Sequence, residues 1–272
     1  ITRPKSHLAN SMEYIVIKIS GSLTDHPQQL DAISSLVVQL SAQGDRVCVI
    51  HGGGKQINEL SHRLGISPVQ IEGRRVTDSS TLEVLKYTVG GAVNKNIVQN
   101  LRTYGIKAMG MTGADAHLTT AHRRAPLNIN GTEIDFGLVG EIDSVDISIL
   151  EQLTGSDVVP VIGCLTWSPY DGILNINADT FANSIAVALK ASKMIILMEP
   201  ESVRGADGTS IGKLSHSDFQ TGKSEGWITE GMVPKLKTAF EALKGGVPIV
   251  RIGNPMGILE QKFTQLIMED EK

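Results

Sequence analysis

The sequence predicts an α/β protein, a three-layer αβα sandwich around a mostly parallel, open sheet. Three observations support this prediction. Apolar residues make up 41% of the 272 residues and aromatic residues only 4%, which is typical of proteins with aliphatic buried strands. The chain has 28 glycines, which suit tight turns between elements. Strand-like apolar runs alternate with helix-length amphipathic stretches, and repeated β-α-β units place helices on both faces of a parallel sheet.

The first half of the chain shows this alternation most clearly. Strands are predicted at Tyr14–Ile19, Arg46–Ile50, Lys107–Met111 and Val158–Ile162, and helices at Pro27–Ala42, Gln56–Leu64 and Thr81–Tyr104. The third helical stretch contains Gly90-Gly91, which predicts a bend or a close-packing point. The turn-rich stretch from Leu118 to Gly140 contains Asn130-Gly131, a strong hairpin signal.

The second half begins near Thr166, so we divide the chain into residues 12–165 and 166–272. Helices are predicted at Ala178–Leu189 and Pro234–Leu243, and strands at Met194–Leu197 and Pro248–Arg251, the latter as the last strand of the fold. Residues 1–11 carry no apolar segment typical of a secretory signal, and Met12 directly precedes the first strand. We expect Met12 to be the natural start and residues 1–11 to be a tag remnant, with a short disordered arm as the alternative.

Composition excludes several classes of function. The 25 basic and 29 acidic side chains give a net charge of −4 without a basic stripe, which argues against nucleic-acid binding. No apolar run approaches the roughly 20 residues that cross a bilayer. Two cysteines, Cys48 and Cys164, are too few for a disulfide framework or a structural zinc site, and no magnesium cage built from protein ligands is visible. We therefore expect a cytoplasmic protein that binds neither membrane nor nucleic acid, and no metal ligands are predicted.

The candidate site residues follow predicted strands, because ligands of parallel sheets bind beyond the carboxyl ends of the strands. Lys18 lies inside an otherwise apolar strand and precedes Ser20-Gly21-Ser22. It is either a lysine that reaches solvent at the strand end or a cation aimed at an anion, with the glycine turn offering N–H donors.

A second glycine turn, His51-Gly52-Gly53-Gly54-Lys55, follows the next strand. Three glycines let the backbone approach a ligand closely, although a tight strand-to-helix turn is the simpler alternative. The segment is no Walker A loop, because Gln56 follows Lys55 and the upstream glycine spacing is absent. It is no dinucleotide fingerprint either, since Ile57 occupies the position of the last glycine.

Polar residues of the second half form two further candidates. Asn175, Asn177 and Asp179 alternate in an extended segment before a helix, where they either cap the helix or converge on a polar small molecule. Lys235 lies in the first turn of a helix, where a cation is unfavourable unless it binds an anionic ligand or is solvated.

Arg75 follows Gly73 and Arg74 in a predicted loop between helices. Its guanidinium group could bind a carboxylate through two parallel hydrogen bonds. Arg74 could do the same, so the sequence alone does not separate the two arginines.

Five segments together resemble the amino acid kinase family, and within it the acetylglutamate kinase subfamily. They are Lys18-Ile19-Ser20-Gly21, His51-Gly52-Gly53-Gly54, Gly73-Arg74-Arg75-Val76-Thr77, Asn175-Ile176-Asn177-Ala178-Asp179 and Gly231-Met232-Val233-Pro234-Lys235. Each segment is common alone, but all five in this order and spacing are specific. The resemblance extends from about Ile15 to Gly253 and implies the amino acid kinase fold.

The resemblance implies ATP-dependent phosphorylation of the side-chain carboxylate of N-acetyl-L-glutamate to an acyl phosphate, a step of arginine biosynthesis. It assigns the catalytic machinery to Lys18, Lys235, Asp179, Gly21 and Gly53, with Asp179 holding the two lysines in place. It assigns the acyl amino acid to Gly52, Gly53, Arg75, Asn175 and Asn177, and ATP to Lys18, Gly21, Lys235 and Glu199. Mg²⁺ would arrive on the phosphates of ATP. The first lobe would bind the acyl amino acid and form a homodimer, and the second would bind ATP; little inhibition by arginine is expected.

The sequence departs from the subfamily pattern at three places, of which the segment Met111–Ala116 deviates modestly. Ser20 replaces a usual glycine, and Met198-Glu199-Pro200-Glu201 replaces a usual Ser/Thr-Asp-Val at the nucleotide side. The acyl group stays open, because N-succinylglutamate or carrier-linked α-aminoadipate would use the same phosphate machinery. A non-catalytic regulatory member is the alternative of another class. The presence of Lys18, Asp179 and Lys235 argues against it, and the broken glycine fingerprint argues against a dehydrogenase.

Overall fold

The computed structural model describes residues 13–229 and 231–268, so the predicted tag remnant or arm at residues 1–11 lies outside the described residues. The strands are β1 (Tyr14–Ile19), β2 (Arg46–His51), β3 (Gln70–Ile71), β4 (Arg74–Arg75), β5 (Ala108–Thr112), β6 (Thr119–Arg123), β7 (Leu127–Ile129), β8 (Thr132–Ile134), β9 (Gly140–Val145), β10 (Val159–Gly163), β11 (Leu165–Ser168), β12 (Gly172–Asn175), β13 (Lys193–Leu197), β14 (Lys213–Ser215), β15 (Ile249–Gly253) and β16 (Thr264–Ile267). The α-helices are α1 (Pro27–Ala42), α2 (Gly54–Arg63), α3 (Ser79–Tyr87), α4 (Val93–Thr103), α5 (Ser148–Gly155), α6 (Ala178–Ala188), α7 (His216–Glu225), α8 (Val233–Lys244) and α9 (Pro255–Leu259).

The central sheet has eight strands in the order β14-β16-β15-β13-β1-β2-β10-β5. Its strand pairs are parallel except for β15 and β16, which run antiparallel. The predicted mostly parallel sheet is therefore confirmed. The prediction that Pro248–Arg251 is the last strand is wrong, because β16 follows it. The four residues of β16 are too short a run to separate from a loop by periodicity.

Alternate residues of β1 pack against different helices, as the two-residue repeat of a strand requires. Ile15, Ile17 and Ile19 share one buried cluster with apolar residues of α1 and α4. Val16 belongs to a second cluster, with apolar residues of α6 and α8. Helices thus cover both faces of the sheet, which confirms the predicted three-layer sandwich.

Smaller β elements lie beside the central sheet. A four-stranded sheet has the order β12-β11-β6-β9, and two short hairpins pair β3 with β4 and β7 with β8. The β7–β8 hairpin turns at Asn130 (φ 51°) and Gly131 (φ 86°), as the Asn-Gly signal predicted. Arg75, predicted to lie in a loop between helices, lies in the β3–β4 hairpin, which connects α2 and α3. Two-residue strands carry too little periodicity to be predicted.

The long helical stretch of the first half is interrupted where the glycine pair predicted a bend. Residues Thr88–Ala92 form one turn of π-helix between α3 and α4. A Cβ on Gly90 would lie 3.7 Å from Thr112 Cγ2 and 3.8 Å from Leu165 Cδ1, so this glycine packs inside the subunit. Among the described residues, no helix combines the length and apolarity needed to span a membrane.

Candidate active site

A cleft of about 990 Å³ opens beyond the carboxyl ends of β1, β2 and β13. These strands are neighbours at the centre of the sheet, so residues far apart in sequence meet there. Every predicted site residue except Asp179 lines the cleft: Lys18, Gly21, Gly52, Gly53, Arg75, Asn175, Asn177, Glu199 and Lys235. Asp179 lies behind the cleft wall and is paired with Lys18, which lines the cleft.

Lys18 and Asp179 form a buried ion pair with 2.6 Å between Lys18 Nζ and Asp179 Oδ1. β1 carries the lysine and the first turn of α6 carries the aspartate. Burial alone would raise the pKa of Asp179, but the Lys18 ammonium and its hydrogen bond, together with the charge of Lys235, hold that pKa below its usual value. Asp179 is therefore ionised and fixes the lysine.

Lys235 lies in the first turn of α8, and its Nζ is 3.4 Å from the carbonyl oxygen of Gly231. Burial lowers the pKa of Lys235, and the positive charge of Lys18 lowers it further, whereas Asp179 acts in the opposite direction. Two lysines share one carboxylate, which leaves an excess of positive charge in the cleft. Such a site suits an anionic ligand.

The two glycine turns lie against each other. A Cβ on Gly21 would be 3.0 Å from the nitrogen of Gly54 and 3.3 Å from Cα of Gly53. Only glycine therefore permits this approach.

Gln56, in α2, joins the two turns and was not predicted as a site residue. Its amide nitrogen is 3.0 Å from the carbonyl oxygen of Gly21, 2.9 Å from Thr24 Oγ1 and 2.6 Å from Asp25 Oδ1. A glutamine near a helix start gives no sequence signal for this contact, because its partners lie more than 30 residues away.

Arg75 lines the cleft and has an unused hydrogen-bond donor. Its Nη2 donates to Asn58 Oδ1 at 2.6 Å and to the carbonyl oxygen of Gly54 at 3.2 Å. Its Nη1 is buried and has no hydrogen-bond partner among the described residues. Arg74 is exposed. The structure thus separates two arginines that the sequence could not, and Arg75 has the buried unpaired group that a ligand carboxylate would satisfy.

The two asparagines make different contacts. The Asn175 amide donates to Thr77 Oγ1 at 3.0 Å. Asn177 Oδ1 accepts from the backbone nitrogens of Asp179 at 2.9 Å and of Thr180 at 3.2 Å, so Asn177 caps α6. The capping alternative therefore holds for the oxygen of Asn177, while its side chain still borders the cleft.

Within the described residues, His, Cys, Asp and Glu side chains form no group of three or more that could hold a metal ion. Asp179, the carboxylate beside the two lysines, is already paired with Lys18. The donor set therefore fits an anion and its counter-ions better than a resident metal.

A model of the Amino acid kinase family matches residues 13–254. The chain belongs to the amino acid kinase family. Two curated relatives are acetylglutamate kinases. The protein from Methanoregula boonei is 38% identical over 245 residues, which cover 88% of this chain and 84% of the relative. The protein from Methanothrix thermoacetophila is 36% identical over 236 residues, which cover 86% and 82%.

Solved structures of amino acid kinase fold proteins superpose over most of the chain. The structure of smu.665 from Streptococcus mutans UA159 has a TM-score of 0.80 and 27% identity, and covers 94% of this chain and 99% of that one. Carbamate kinase from Giardia lamblia, at a TM-score of 0.69 and 12% identity, covers 95% and 99% and shares the fold alone. The family and fold predicted from the five segments are confirmed.

Proposed function

We propose that this chain is an ATP-dependent kinase that phosphorylates the side-chain carboxylate of N-acetyl-L-glutamate, a step of arginine biosynthesis. The observation that carries the proposal is the buried Lys18–Asp179 pair with Lys235 beside it, in a cleft that two glycine turns border. The curated acetylglutamate kinases, 35–38% identical over most of the chain, support the choice of acceptor.

Phosphoryl transfer to a carboxylate needs electrostatic stabilisation and no general base. The acceptor carboxylate is ionised at neutral pH, so its oxygen can attack the γ-phosphorus directly. That P–O bond forms while the bond between the γ-phosphorus and the β–γ bridging oxygen breaks, and ADP leaves with the electron pair. Repulsion between the carboxylate and the triphosphate is the obstacle, and positioned cations and N–H donors offset it.

The residues of the cleft divide this work. Lys18 and Lys235 neutralise charge on the transferring phosphoryl group, Asp179 orients the lysines, and the amides of Gly21 and Gly53 donate to phosphoryl oxygens. On the acceptor side, Gly52, Gly53, Asn175 and Asn177 bind the substrate, and the unpaired Nη1 of Arg75 binds its α-carboxylate.

On the nucleotide side, Glu199, which lines the cleft two residues after the end of β13, borders ATP. Mg²⁺ enters with ATP as part of that substrate and shields its phosphates. Residues 12–165 would then form the acyl-amino-acid lobe and residues 166–272 the ATP lobe. The free thiols of Cys48 and Cys164 suit the reducing cytoplasm in which we place the enzyme.

Hydroxylamine trapping tests the proposal, because hydroxylamine converts an acyl phosphate to a hydroxamate that can be measured. The purified chain is incubated with MgATP and, separately, N-acetylglutamate, N-succinylglutamate, glutamate and aspartate. We expect the highest kcat/KM with N-acetylglutamate. A preference for N-succinylglutamate would show that the acyl group of the substrate is succinyl and not acetyl. Activity only on free amino acids would contradict the proposed acylated acceptor. No turnover with any acceptor would favour the non-catalytic regulatory alternative.

A further inference from the structure

His51, the last residue of β2, is completely buried beneath the second glycine turn. Its Nδ1 lies 2.8 Å from the carbonyl oxygen of Gly52, and its Nε2 lies 2.9 Å from the side-chain nitrogen of Asn94. The imidazole therefore bridges the turn and α4. It does not line the cleft, so it has no direct contact with a ligand.

The neighbours of His51 determine which ring nitrogen carries the proton. The Asn94 amide nitrogen is also 2.9 Å from the carbonyl oxygen of Val161 and 3.2 Å from that of Met111. An amide nitrogen donates and does not accept, so its two N–H groups are shared among these three acceptors. His51 Nε2 accordingly accepts, and Nδ1 donates to the carbonyl of Gly52. Burial lowers the pKa of His51 to about 4, which keeps this neutral form at physiological pH.

The hydrogen bond to the Gly52 carbonyl also fixes the direction of the Gly53 N–H. Both groups belong to one planar trans peptide unit, in which C=O and N–H point in opposite directions. Because the carbonyl points to the buried His51, the N–H of Gly53, a residue that lines the cleft, points away from that buried side. In the part of the chain that the structure describes, no oxygen accepts a hydrogen bond from this N–H.

The peptide unit needs this restraint because glycine flanks it on both sides. A unit between two residues without Cβ atoms can rotate between orientations that other residues would exclude. Val89 and Val93 limit the space behind Gly53, where a Cβ would lie 3.3 and 3.5 Å from their Cγ2 atoms, but they make no polar contact with the unit.

We propose that His51 is a positioning residue, held by Asn94, that aims the Gly53 N–H at the phosphoryl group in transfer. The inference rests on the proposed function, because it assumes that Gly53 donates to the phosphoryl group. Loss of a donor that acts in the transition state lowers kcat more than it changes KM.

Two isosteric substitutions separate the two hydrogen bonds of His51. Asparagine places its amide nitrogen where Nδ1 lies, so His51→Asn keeps the donor to the Gly52 carbonyl and loses the contact with Asn94. Glutamine can place its side-chain oxygen where Nε2 lies, so His51→Gln keeps an acceptor for the Asn94 amide and leaves the Gly52 carbonyl without its donor. Cys48→Ala is the matched control, because it creates a defect in the same buried strand without touching the turn.

The experiment measures kcat, both KM values and the melting temperature of wild type and the three variants, together with a crystal structure of His51→Gln. We expect kcat of His51→Gln to fall about 10- to 100-fold, part of what the loss of a whole donor costs, with KM changed less than about threefold. His51→Asn should recover most of kcat, Cys48→Ala should retain it, and the Gly52–Gly53 peptide should be rotated in the His51→Gln crystal.

Three results would overturn the inference: an unrotated peptide in the His51→Gln crystal, a kcat of that variant near wild type, or equal losses in His51→Asn and His51→Gln. A wild-type chain without kinase activity would contradict the proposed function instead. In that case the orientation of the peptide in the crystal still decides whether His51 fixes the turn.

Discussion

Lys235 contributes to the excess positive charge of the cleft, since Asp179 is paired with Lys18. We expect Lys235→Ala to lower kcat about 100- to 1000-fold, the loss typical of a removed transition-state contact. Its folding should be intact, because burial of the charged ammonium is unfavourable. Lys244→Ala, at the other end of α8, is the control for steady-state kinetics and thermal melts. A kcat near that of wild type would remove Lys235 from the mechanism.

In the proposed mechanism, Arg75 binds the acceptor through its unpaired Nη1, while its Nη2 donates to Asn58 and Gly54. Arg75→Lys keeps the charge, but a single ammonium nitrogen cannot bind both Asn58 and the acceptor in this geometry, so the KM for the acceptor should rise about 10- to 100-fold, with a small change for ATP. Arg74→Lys, which alters an exposed neighbour, is the control. A rise in the KM for ATP instead would show that Arg75 belongs to the ATP side of the cleft and not to the acceptor side.

The buried His51 makes stability depend on pH. Its folded pKa of about 4 lies below the usual 6.5, so the unfolded chain binds a proton more readily between these values. The contribution of the neutral His51 to the free energy of unfolding is complete above pH 6.5. The free energy of unfolding falls as the pH decreases from 6.5 toward 4. Between pH 7 and 4.5, wild type should lose about 2 kcal/mol more than His51→Asn in urea titrations. Parallel pH curves for the two proteins would contradict this assignment.

At the scale of elements, the packing of the two glycine turns limits substitution. Gly21→Ala would place a Cβ against the backbone of Gly53 and Gly54 and push the turns apart. Since a displacement of about 1 Å at a reacting centre can cost about 100-fold in rate, we expect a loss of that order in kcat. Gly155→Ala, at the end of α5, is the control because its Cβ would meet nothing within 4 Å. Comparable kinetics for both variants would show that the turns tolerate separation.

The elements that could be predicted from the sequence are those with long patterns. Pro27–Ala42 is a helix with the predicted bounds, and Tyr14–Ile19 is a strand with the predicted bounds, because burial imposes regular spacing on both. The ten-residue helix α7 was missed because Phe219 is its one large apolar residue and gives no periodic pattern. The strand β16 was missed because four residues are too few for a pattern, and tertiary neighbours determine so short a strand.

The predicted site residues lie in or beside one cleft. They could be predicted because glycine turns and the ends of strands are visible in the local sequence. Contacts that join distant segments had no such signal. The clamp of Gln56 on the first glycine turn is one example, and the hydrogen bond between His51 and Asn94, 43 residues apart, is another. The choice between Arg74 and Arg75 likewise required the burial of each side chain.

At the scale of the whole molecule, we predict a homodimer formed through the first half of the chain. Tyr87 of α3 is 58% exposed, and Met109, on the edge strand β5, is 46% exposed. These two exposed apolar side chains are our candidates for the interface, which would bury them. Light scattering should give about twice the 29.2 kDa chain mass. Met109→Glu should shift the mass toward the monomer, whereas Tyr170→Glu, at an exposed hairpin tip in the other half, should not. A monomeric or hexameric wild type would contradict the prediction.

The two buried cysteines can be used to measure how often the native structure opens. Burial raises the pKa of Cys48 and Cys164 to about 12, so neither thiol is nucleophilic while its surroundings are closed. An alkylating reagent therefore reacts only with molecules that have opened, and the labelling rate measures the free energy of that opening. Cys48 lies in the central strand β2 and follows global unfolding, whereas Cys164 borders the cleft and follows local opening of its wall. The ratio of the two labelling rates, measured with and without nucleotide, compares the frequency of local opening of the cleft wall with the frequency of global unfolding.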